Sequence, residues 1–277
     1  MSKQLDFQKQ TLTDCVDERT ARLAHATFNG NLETIPRAGD DLPPLWHWFA
    51  FPPNASTQEL NIDGHPIRPD YVPPKNLSRR MWASGDLIFF KPLKVGEEIT
   101  KISQITEVSE KASDSGHMVF VKYLHELYGG DGLAIKEEQN IVYLAQPEAF
   151  NPPQKKYFEQ GRIPLIKLNI SNALLFRYSA LTFNAHRIHF DLPFTRDVEK
   201  YPDLIIHGPL QATFLINAAI KAKGTIPNKF SFRGIHPAFA NEPLDLGLKN
   251  ASHGFELFTS SLGHQCMQAS AVWEEKS

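Results

Sequence analysis

Four consecutive segments between residues 82 and 145 have the residue pattern of β-strands, and they constrain the fold more than any other feature of the sequence. Each is apolar or alternates apolar and polar residues over a strand length, with glycine-containing turns between them. They read WASGDLIFFKPL, EEITKISQITEV, GHMVFVKYLHELY and LAIKEEQNIVYLA. Strands joined by short turns pair antiparallel. The pattern therefore predicts an antiparallel sheet in the first half of the chain.

The clearest helix signal is HGPLQATFLINAAIKAKG, residues 207–224. Pro209 stands in the first turn, Lys221 and Lys223 stand in the last turn, and Gly224 follows as a stop. A strand is predicted before this helix, around residues 172–181. Three more strands are predicted after it, in KFSFRGIHPAF, FELFTSS and CMQASAVWEE.

A first helix is predicted over residues 13–28, capped by Thr13 or Asp14. A proline- and tryptophan-rich segment follows it, from DDLPPLWHWFAFPPN to DYVPPKN. A segment of this length without strands or helices usually lines or covers a site. We expect it to replace part of the helix that the second half shows more clearly.

The order of the segments predicts an α+β double hot-dog fold, in which two antiparallel sheets each wrap a helix and the first half is degenerate. A polar, proline-rich linker near residues 146–163 separates the halves. The predicted division is residues 1–150 and residues 160–277.

Composition narrows the classes of partner. The net charge is −2 with no basic block, so no nucleic-acid partner is expected. No run of about 18 apolar residues predicts a membrane span. The segment MSKQLDFQKQ has no apolar core, which argues against a secretory signal. We expect a cytoplasmic protein, or a mitochondrial matrix protein in a eukaryote, although no transit peptide is seen. Cys15 and Cys266 are then expected to be free thiols rather than a bridge.

Residues 177–191, RYSALTFNAHRIHFD, place Asn184, His186 and His189 within six residues. The reference pKa of imidazole is about 6.5, near working pH, so histidine transfers protons readily. Asn184 can only orient water or substrate, or bond its own backbone in a turn. The two histidines lie three residues apart with no obvious acidic ligand, so no metal is expected.

This loop resembles a known family. YSALTFNAHRIHFD, followed by LIIHGPLQA, is similar to the Gly-Asp-x-Asn-Pro-x-His and Pro-x-x-His-Gly motifs of MaoC-like dehydratases and R-specific enoyl-CoA hydratases. The first half, with LPPLWHWFAF, DGHPIRPDYVPP and RRMWASGDLIFFKPLKVGE, looks like the subgroup of mesaconyl-C4-CoA, itaconyl-CoA and hydroxyacyl-thioester hydratases. The likeness covers nearly the whole chain and implies reversible hydration of an enoyl thioester, with the first half forming part of the substrate tunnel.

The resemblance also implies roles for individual residues. His189 matches the catalytic histidine, and Gly208 matches the glycine whose N–H faces the thioester carbonyl. Asn184 stands in place of the catalytic aspartate and His186 in place of an asparagine, so the usual division of labour between aspartate and histidine does not apply. We expect His189 to move the proton and Asn184 to orient the water. His186 is either a second base or a residue that orients the loop, and His207 is expected beside the substrate, bracing the start of the helix.

Negative charge enters the reaction twice, on the enolate and on the substrate. The N–H groups at a helix N-terminus stabilise an enolate oxygen. We expect the helix that begins at Gly208 to have this role. CoA is anionic and a short dicarboxylyl chain adds a carboxylate, and arginine binds both kinds of group through paired hydrogen bonds. The expected substrate-binding residues are Arg79, Arg80, Trp82, Arg177, His207 and Arg233. Trp46 and Trp48 are expected in the core, or at most in the pocket wall.

Three functions remain open at this stage. The leading one is a hydro-lyase for a short branched dicarboxylyl-CoA of the mesaconyl-C4-CoA or itaconyl-CoA type. The second is a hot-dog thioesterase, in which Asp191 or Glu242 would activate water, although Asp191 is otherwise expected to cap a helix. The third is an acyl-thioester-binding protein without catalysis. No cofactor is expected, because CoA is part of the substrate, and a homodimer is expected by analogy alone.

Overall fold

The computed structural model describes residues 9–28, 34–67, 77–113, 116–157 and 165–274. Ten antiparallel strands form one continuous sheet. The strands are β1 Gln10–Asp14, β2 Arg79–Phe89, β3 Ile99–Ser113, β4 Gly116–Gly129, β5 Gly132–Leu144, β6 Leu165–Leu168, β7 Lys229–Gly234, β8 Leu244–Ala251, β9 Gly254–Ser261 and β10 His264–Val272. The helices are α1 Glu18–Thr27, α2 Asn172–Leu181, α3 Leu192–Asp197 and α4 Gly208–Lys223. Within the described ranges, no helix has the length and apolar character needed to cross a membrane.

The strand order shows that the sheet consists of two equivalent halves. The order is β1-β3-β4-β5-β2-β7-β10-β9-β8-β6, so each half repeats the same arrangement. The halves meet where β2 pairs with β7, from Ser84 opposite Arg233 to Ile88 opposite Lys229. The sequence predicted two separate sheets, but the structure has one sheet, because β2 of the first half is hydrogen-bonded to β7 of the second half.

The four strands predicted in the first half are β2 to β5, and all four are confirmed. The sequence missed β1, β6 and β8, and it predicted only β7, β9 and β10 of the strands after α4. Two of the missed strands, β1 and β6, are short strands at the two edges of the sheet, where few residues are available to form a pattern. β8 alternates Leu244, Leu246 and Leu248 with Asp245, Gly247 and Lys249, so its strand pattern was present in the sequence and was missed.

The first helix begins later than the sequence predicted. Thr13 and Asp14 lie in β1, and the cap of α1 is Asp17, whose carboxylate accepts a hydrogen bond from Thr20 N at 2.7 Å. Asp14 instead accepts a hydrogen bond from Phe51 N at 2.7 Å, tying β1 to the proline-rich segment. The predicted cap was therefore wrong because Asp14 is used by a long-range contact.

The predicted strand at residues 172–181 is wrong, because this segment is the helix α2. Ser171 caps it by accepting a hydrogen bond from Leu174 N at 3.2 Å. Leu174, Leu175 and Tyr178 are buried on one side of the helix. The three and four residues that separate Leu174 and Leu175 from Tyr178 are the spacing of a helix face, which the strand prediction did not take into account.

The predicted helix at residues 207–224 is confirmed as α4. It ends at Gly224, which has a φ of 82° and donates its N–H to Ile220 O at 2.7 Å. Left-handed backbone of this kind favours glycine and closes the helix. α4 packs against β7, β8, β9 and β10, as the central helix of a hot-dog half does.

The first half has no counterpart of α4 among its described residues. α1 follows β1 after three residues, and α2 follows β6 after three residues, so these two ten-residue helices are equivalent. Between α1 and β2 the described chain forms two short 3₁₀ helices, Trp46–Phe49 and Thr57–Glu59. The described part of the long segment contains no α-helix, in agreement with the prediction that it replaces part of the first-half helix, and its residues 68–76 lie outside the described ranges. The linker prediction agrees with residues 146–157, which contain only one isolated bridge, while its residues 158–163 lie outside the described part.

Candidate active site

A cavity of about 1800 Å³ lies between the two halves of the fold. The second half contributes the histidine loop and the start of α4, and the first half contributes the segment around residues 47–66 and parts of β2 and β5. Pockets for small ligands usually measure about 300–1,000 Å³. This cavity is thus large enough for an elongated ligand.

His189 lies at the end of a short 3₁₀ helix, Arg187–His189, and faces the cavity. Its Nδ1 lies 2.8 Å from Ile205 O, and because a carbonyl only accepts, Nδ1 must carry the proton. Burial lowers the pKa of His189 to about 4, although the hydrogen bond to Ile205 acts in the opposite direction. The ring is therefore neutral at pH 7, with the Nε2 lone pair available to accept a proton.

His207 holds the ring of His189 in place. The two rings stack with centroids 3.5 Å apart and an angle of 18° between their planes. His207 Nε2 lies 2.9 Å from Ser179 Oγ on α2, and burial holds the pKa of His207 well below its usual value. His207 is the N-cap residue of α4, but its side chain makes no capping hydrogen bond. Its side chain thus braces His189 rather than the helix.

Asn184 and His186 form the rest of the loop. Asn184 Oδ1 accepts a hydrogen bond from His186 N at 3.0 Å, which is the turn role that the sequence left open. The carboxamide nitrogen has no partner among the described residues, and Asn184 lines the cavity. His186 Nε2 is buried and also has no partner in the described part of the chain. Burial, followed by the charge of His65, holds the pKa of His186 well below its usual value.

Gly208 begins α4 at the wall of the cavity. No hydrogen-bond acceptor for its N–H is present among the described residues. A Cβ at Gly208 would make only an ordinary contact with Met267 Cε at 3.7 Å, and φ at Gly208 lies outside the left-handed region. The fold itself therefore does not require glycine here, and the space beside Gly208 opens into the cavity.

Arg79 and Arg80, adjacent on β2, have different environments. The Arg79 guanidinium pairs with buried Glu199 at 3.0 Å and lies over the ring of Tyr201 at 4.6 Å. Arg80 has no ion-pair partner among the described residues, yet its charge acts on both Asp63 and His186. Both arginines line the cavity. Of the two, Arg80 is the one without a carboxylate in an ion pair within the described ranges, and its charge helps to lower the pKa of Asp63.

The other predicted residues divide into those in the cavity wall and those outside it. Trp82 and Trp48 line the cavity and pack edge to face, with ring centroids 5.1 Å apart, whereas Trp46 is buried in the core. Arg177 is exposed on α2 and Arg233 is exposed on β7, and neither belongs to the cavity lining. Arg177 was predicted to bind substrate because it precedes the histidine loop, but on α2 it is exposed outside the cavity lining.

The two carboxylates considered for a thioesterase also lie outside the cavity lining. Asp191 caps α3 by accepting a hydrogen bond from Phe194 N at 3.1 Å, as the sequence predicted, and pairs with Arg187 at 2.7 Å. Glu242 accepts a hydrogen bond from Ser261 Oγ at 2.7 Å. Both are therefore in structural contacts.

The sequence missed a carboxylate and a histidine that the first half brings to the loop. Asp63 Oδ2 lies 2.9 Å from His65 Nδ1, and the ring of His65 lies 4.2 Å from that of His186. One ligand atom each of Asp63, His65 and His186 lies within 4.8 Å of the others, so by donor type this trio is able to hold a metal ion. The signals in the sequence were the turn dipeptide Asp63-Gly64 and the stretch DGHPIRPDYVPP, which was used for the family resemblance without a role for its individual residues.

A second polar cluster, also missed, lies in the first-half wall of the cavity. The buried carboxylate of Glu137 is bonded by His47 Nε2 at 3.1 Å, Trp48 Nε1 at 2.9 Å and Gln139 Nε2 at 2.8 Å. Burial alone would raise the pKa of Glu137, but the hydrogen bond and charge of His47 lower it to about 2. Glu137 is thus an anion held inside the protein by a complete set of donors.

The fold and this cavity together define a double hot-dog protein in which a loop with two histidines and the N-terminus of a helix line the same cavity. Residues 45–240 match the model of hydroxyacyl-thioester dehydratase type 2, and the chain belongs to that family. It is 38% identical over 212 residues to mesaconyl-C(4)-CoA hydratase of Chloroflexus aurantiacus, covering 76% of each chain. The protein is accordingly a hydro-lyase of acyl thioesters.

Solved structures show the same fold. A MaoC-like dehydratase from Phytophthora capsici superposes with a TM-score of 0.71 at 14% identity, covering 99% of this chain and 98% of the other. A Mycobacterium tuberculosis protein described as a double hot-dog fold superposes with a TM-score of 0.60 at 10% identity, covering 97% and 96%. The predicted family and the predicted fold class are both confirmed. Cys15 and Cys266 are free, also as predicted.

Proposed function

We propose that this protein hydrates a short enoyl-CoA that carries a carboxylate on its β-carbon, as a mesaconyl-C4 thioester does. The observation that carries the proposal is Arg80, which lines the cavity beside the histidine loop without an ion-pair partner in the described part of the chain. The 38% identity to a mesaconyl-C(4)-CoA hydratase supports the same substrate class.

The proposed reaction begins with a water molecule between His189 and the β-carbon. His189 Nε2 takes a proton from the water while the oxygen forms a bond to the β-carbon, and the π electrons move to the thioester oxygen. The nitrogen of Asn184 orients the water. The N–H of Gly208 donates to the enolate oxygen, where the dipole of α4 also favours negative charge. A proton then returns to the α-carbon, which completes the addition of one water.

The position of the free carboxylate in the substrate makes Arg80 a suitable residue to bind it. In a mesaconyl-C4 thioester the free carboxylate is bonded directly to the β-carbon, so its receptor must lie within a few ångströms of the attacking water. Arg80 acts electrostatically on His186, inside the loop that holds His189. Lys101, another cation in the lining, lies over Phe51 with its Nζ 4.1 Å from the ring centroid, and its charge acts with Glu137 and Asp14 rather than with the loop. We assign the carboxylate to Arg80 for that reason.

The other dicarboxylyl thioester considered is itaconyl-CoA, in which the free carboxylate or the thioester lies one carbon further from the double bond than in mesaconyl-C4-CoA. A residue that binds this carboxylate would therefore lie at a different depth in the cavity. Thioester hydrolysis is disfavoured because Asp191 and Glu242 lie outside the cavity lining.

We further propose that the first half forms the wall of the acyl-CoA tunnel. The homodimer and the cytoplasmic location stay predictions.

The test compares substrates with and without a β-carboxylate. Loss of enoyl absorbance would be followed for mesaconyl-C4-CoA, itaconyl-CoA and crotonyl-CoA with wild type, Arg80→Gln and Arg22→Gln. Arg22 is an exposed arginine on α1, far from the cavity lining, and serves as the matched control. We expect Arg80→Gln to lower kcat/KM for mesaconyl-C4-CoA about 10- to 100-fold, the value of a charge-assisted hydrogen bond, and to leave crotonyl-CoA within about threefold.

Equal losses on all three substrates would show that Arg80 does not read the carboxylate. Faster turnover of crotonyl-CoA than of mesaconyl-C4-CoA by wild type would refute the substrate class while leaving the hydro-lyase activity in place.

A further inference from the structure

The lining of the cavity is exposed in one part and buried in another. Its exposed part includes three phenylalanine rings of the second half, Phe176, Phe183 and Phe190. Its buried part includes His47 and Glu137, whose exposed fractions are 3% and 2%. Because burying the charged nucleotide of CoA would be unfavourable, the nucleotide stays at the exposed part and the acyl chain extends towards the buried part.

Strand β2 connects the histidine loop with the buried part of the lining. Arg80 acts by its charge on His186 of the loop. Arg80 and Trp82 are two residues apart on β2, ahead of the irregularity between Trp82 and Ser84, so their side chains point to the same face of the sheet. Both line the cavity. An acyl chain that passes Arg80 towards the buried part therefore comes next to Trp82.

Trp48 stands beside Trp82, and its ring is fixed. The two rings pack edge to face with centroids 5.1 Å apart, and the ring of Phe232 lies 5.9 Å from Trp48 and 5.6 Å from Trp82. Trp48 Nε1 donates to Glu137 Oε1 at 2.9 Å, and Trp82 Nε1 donates to Ser84 O at 2.9 Å. To turn aside, the Trp48 ring would have to leave a buried carboxylate and two aromatic contacts.

The cavity lining around Trp48 is polar. Glu137 Oε1 also accepts a hydrogen bond from Gln139 Nε2 at 2.8 Å, and the charge of Glu137 acts on Lys101 and His125. All four of these side chains line the cavity. An apolar chain placed against them would remove water from them without replacing its hydrogen bonds, which is unfavourable. We call Trp48 and these four residues the polar floor.

We propose that Trp48 determines the length of the acyl chain that this enzyme accepts, and that Glu137 is its positioning residue. This inference rests on the proposed hydration of a short enoyl thioester. In a linear enoyl chain the carbons beyond the β-carbon take the direction of the β-carboxylate of a mesaconyl-C4 thioester, past Arg80 towards Trp82 and Trp48.

The obstacle has to be an individual side chain, because the volume of the cavity does not restrict the chain. About 1800 Å³ is more than a short acyl thioester requires. The fixed indole of Trp48 stops the chain, and the rest of the polar floor offers no apolar path around it. Replacing Trp48 with alanine opens a space whose walls are the rings of Trp82 and Phe232.

The experiment measures kcat/KM for crotonyl-CoA, hex-2-enoyl-CoA and oct-2-enoyl-CoA from loss of enoyl absorbance. Wild type is compared with Trp48→Ala, Trp48→Phe, Glu137→Gln and the control Trp273→Ala, with melting temperatures on the same samples. Trp273 matches Trp48 because its Nε1 donates to Thr225 Oγ1 at 3.0 Å and its ring packs edge to face with Phe255 at 5.6 Å. It lies outside the cavity lining.

The quantity that decides is the ratio of kcat/KM for oct-2-enoyl-CoA to that for crotonyl-CoA. We expect Trp48→Ala to raise this ratio at least about tenfold over wild type, the value of admitting further methylene groups to a pocket. Trp48→Phe should raise it less, because the smaller ring opens less space, and Glu137→Gln should raise it about threefold by weakening the bond that fixes the indole. Trp273→Ala should leave it within about twofold of wild type.

A further variant, Lys101→Met, removes a charge of the polar floor and keeps the indole. We expect it to leave the ratio within about twofold of wild type. An increase as large as that in Trp48→Ala would overturn the inference in favour of exclusion by charge. An unchanged ratio in Glu137→Gln, with an increase in Trp48→Ala, would overturn the positioning role of Glu137.

An unchanged ratio in Trp48→Ala would overturn the inference, even with all three rates lowered and a lower melting temperature, which is the signature of a structural role. If Trp48→Ala does not fold, Trp48→Phe decides by the same ratio. Hydration of oct-2-enoyl-CoA by wild type as fast as that of crotonyl-CoA would overturn the inference and leave the hydration itself standing. Absence of hydration of every thioester by wild type would overturn the proposed function as well.

Discussion

The two halves of this protein have the same strand order, but among the described residues only the second half has a central helix. In the second half α4 packs against four strands and brings Gly208 to the cavity. In the first half the described residues between α1 and β2 form two short 3₁₀ helices, and β5 contributes a polar wall around Glu137. Described residues from this segment line the cavity together with the loop of the second half.

The halves also differ in how they use buried polar groups. Glu137 of the first half is surrounded by three donors, whereas His186 Nε2 and the N–H of Gly208 in the second half have no partners in the described residues. A satisfied buried anion stabilises the fold, and unsatisfied groups facing a cavity are available to a ligand. Glu137 is therefore expected to contribute to stability, and the unpaired groups of the second half are available for the proposed chemistry.

The largest effect expected from this division is on stability. We expect Glu137→Gln to lower the free energy of unfolding by about 3 kcal/mol, because His47 and Trp48 lose the charge that pairs them. Since the pKa of Glu137 is about 2, below its ordinary value, its contribution is present above pH 4.5 and is lost as the pH falls towards 2. Urea unfolding at pH 7 and pH 3 measures both effects.

The neighbouring Glu138 supplies the control for that prediction. It stands opposite Asp86 in the sheet, and burial followed by the charge of Glu138 raises the pKa of Asp86. Like charges directly opposite are destabilising. Glu138→Gln should therefore be neutral or slightly stabilising. A loss as large as that of Glu137→Gln would mean that the first-half wall is not held by Glu137 in particular.

At Gly208 we expect a loss of activity with little change in stability, and a smaller effect than that at Glu137. Gly208→Ala should leave the free energy of unfolding within about 1 kcal/mol, because the new Cβ meets only Met267 at 3.7 Å. The methyl group would displace the thioester, and a misplacement of this order lowers kcat/KM roughly 10- to 100-fold. Denaturation and hydration assays on one preparation measure the two quantities.

At the other end of α4, Gly224→Ala should show the reverse, with a loss of about 1 kcal/mol in stability and unchanged kcat, because φ at Gly224 is 82°. If Gly208→Ala lost stability instead of activity, the start of α4 would be structural and the contrast between the walls would fail.

The sequence predicted the parts of the molecule that depend on local pattern. The strands β2 to β5 and the helix α4 follow from residue periodicity and end signals, and the loop containing Asn184, His186 and His189 follows from its motif. The strand prediction for residues 172–181 was wrong because a largely apolar segment of ten residues is compatible with either a strand or a helix.

The remaining features depend on contacts between distant residues. Asp63 reaches Arg187 across more than a hundred residues, and nothing local to the sequence around Asp63 indicates that partner. The same holds for Glu137 and His47, which are 90 residues apart. Arg79 and Arg80 are adjacent and chemically alike, and only the position of Glu199 distinguishes them. Partner identity in three dimensions, rather than residue type, decides each of these roles.

The most direct test of the account is to follow enoyl absorbance and free thiol together for mesaconyl-C4-CoA with wild type, His189→Ala and the exposed control His253→Ala. We predict loss of absorbance without thiol release by wild type and by His253→Ala, and a kcat about 10²- to 10⁴-fold lower in His189→Ala. Turnover by His189→Ala close to that of wild type, or thiol release in step with substrate loss, would contradict the assignment of hydration chemistry to the second half.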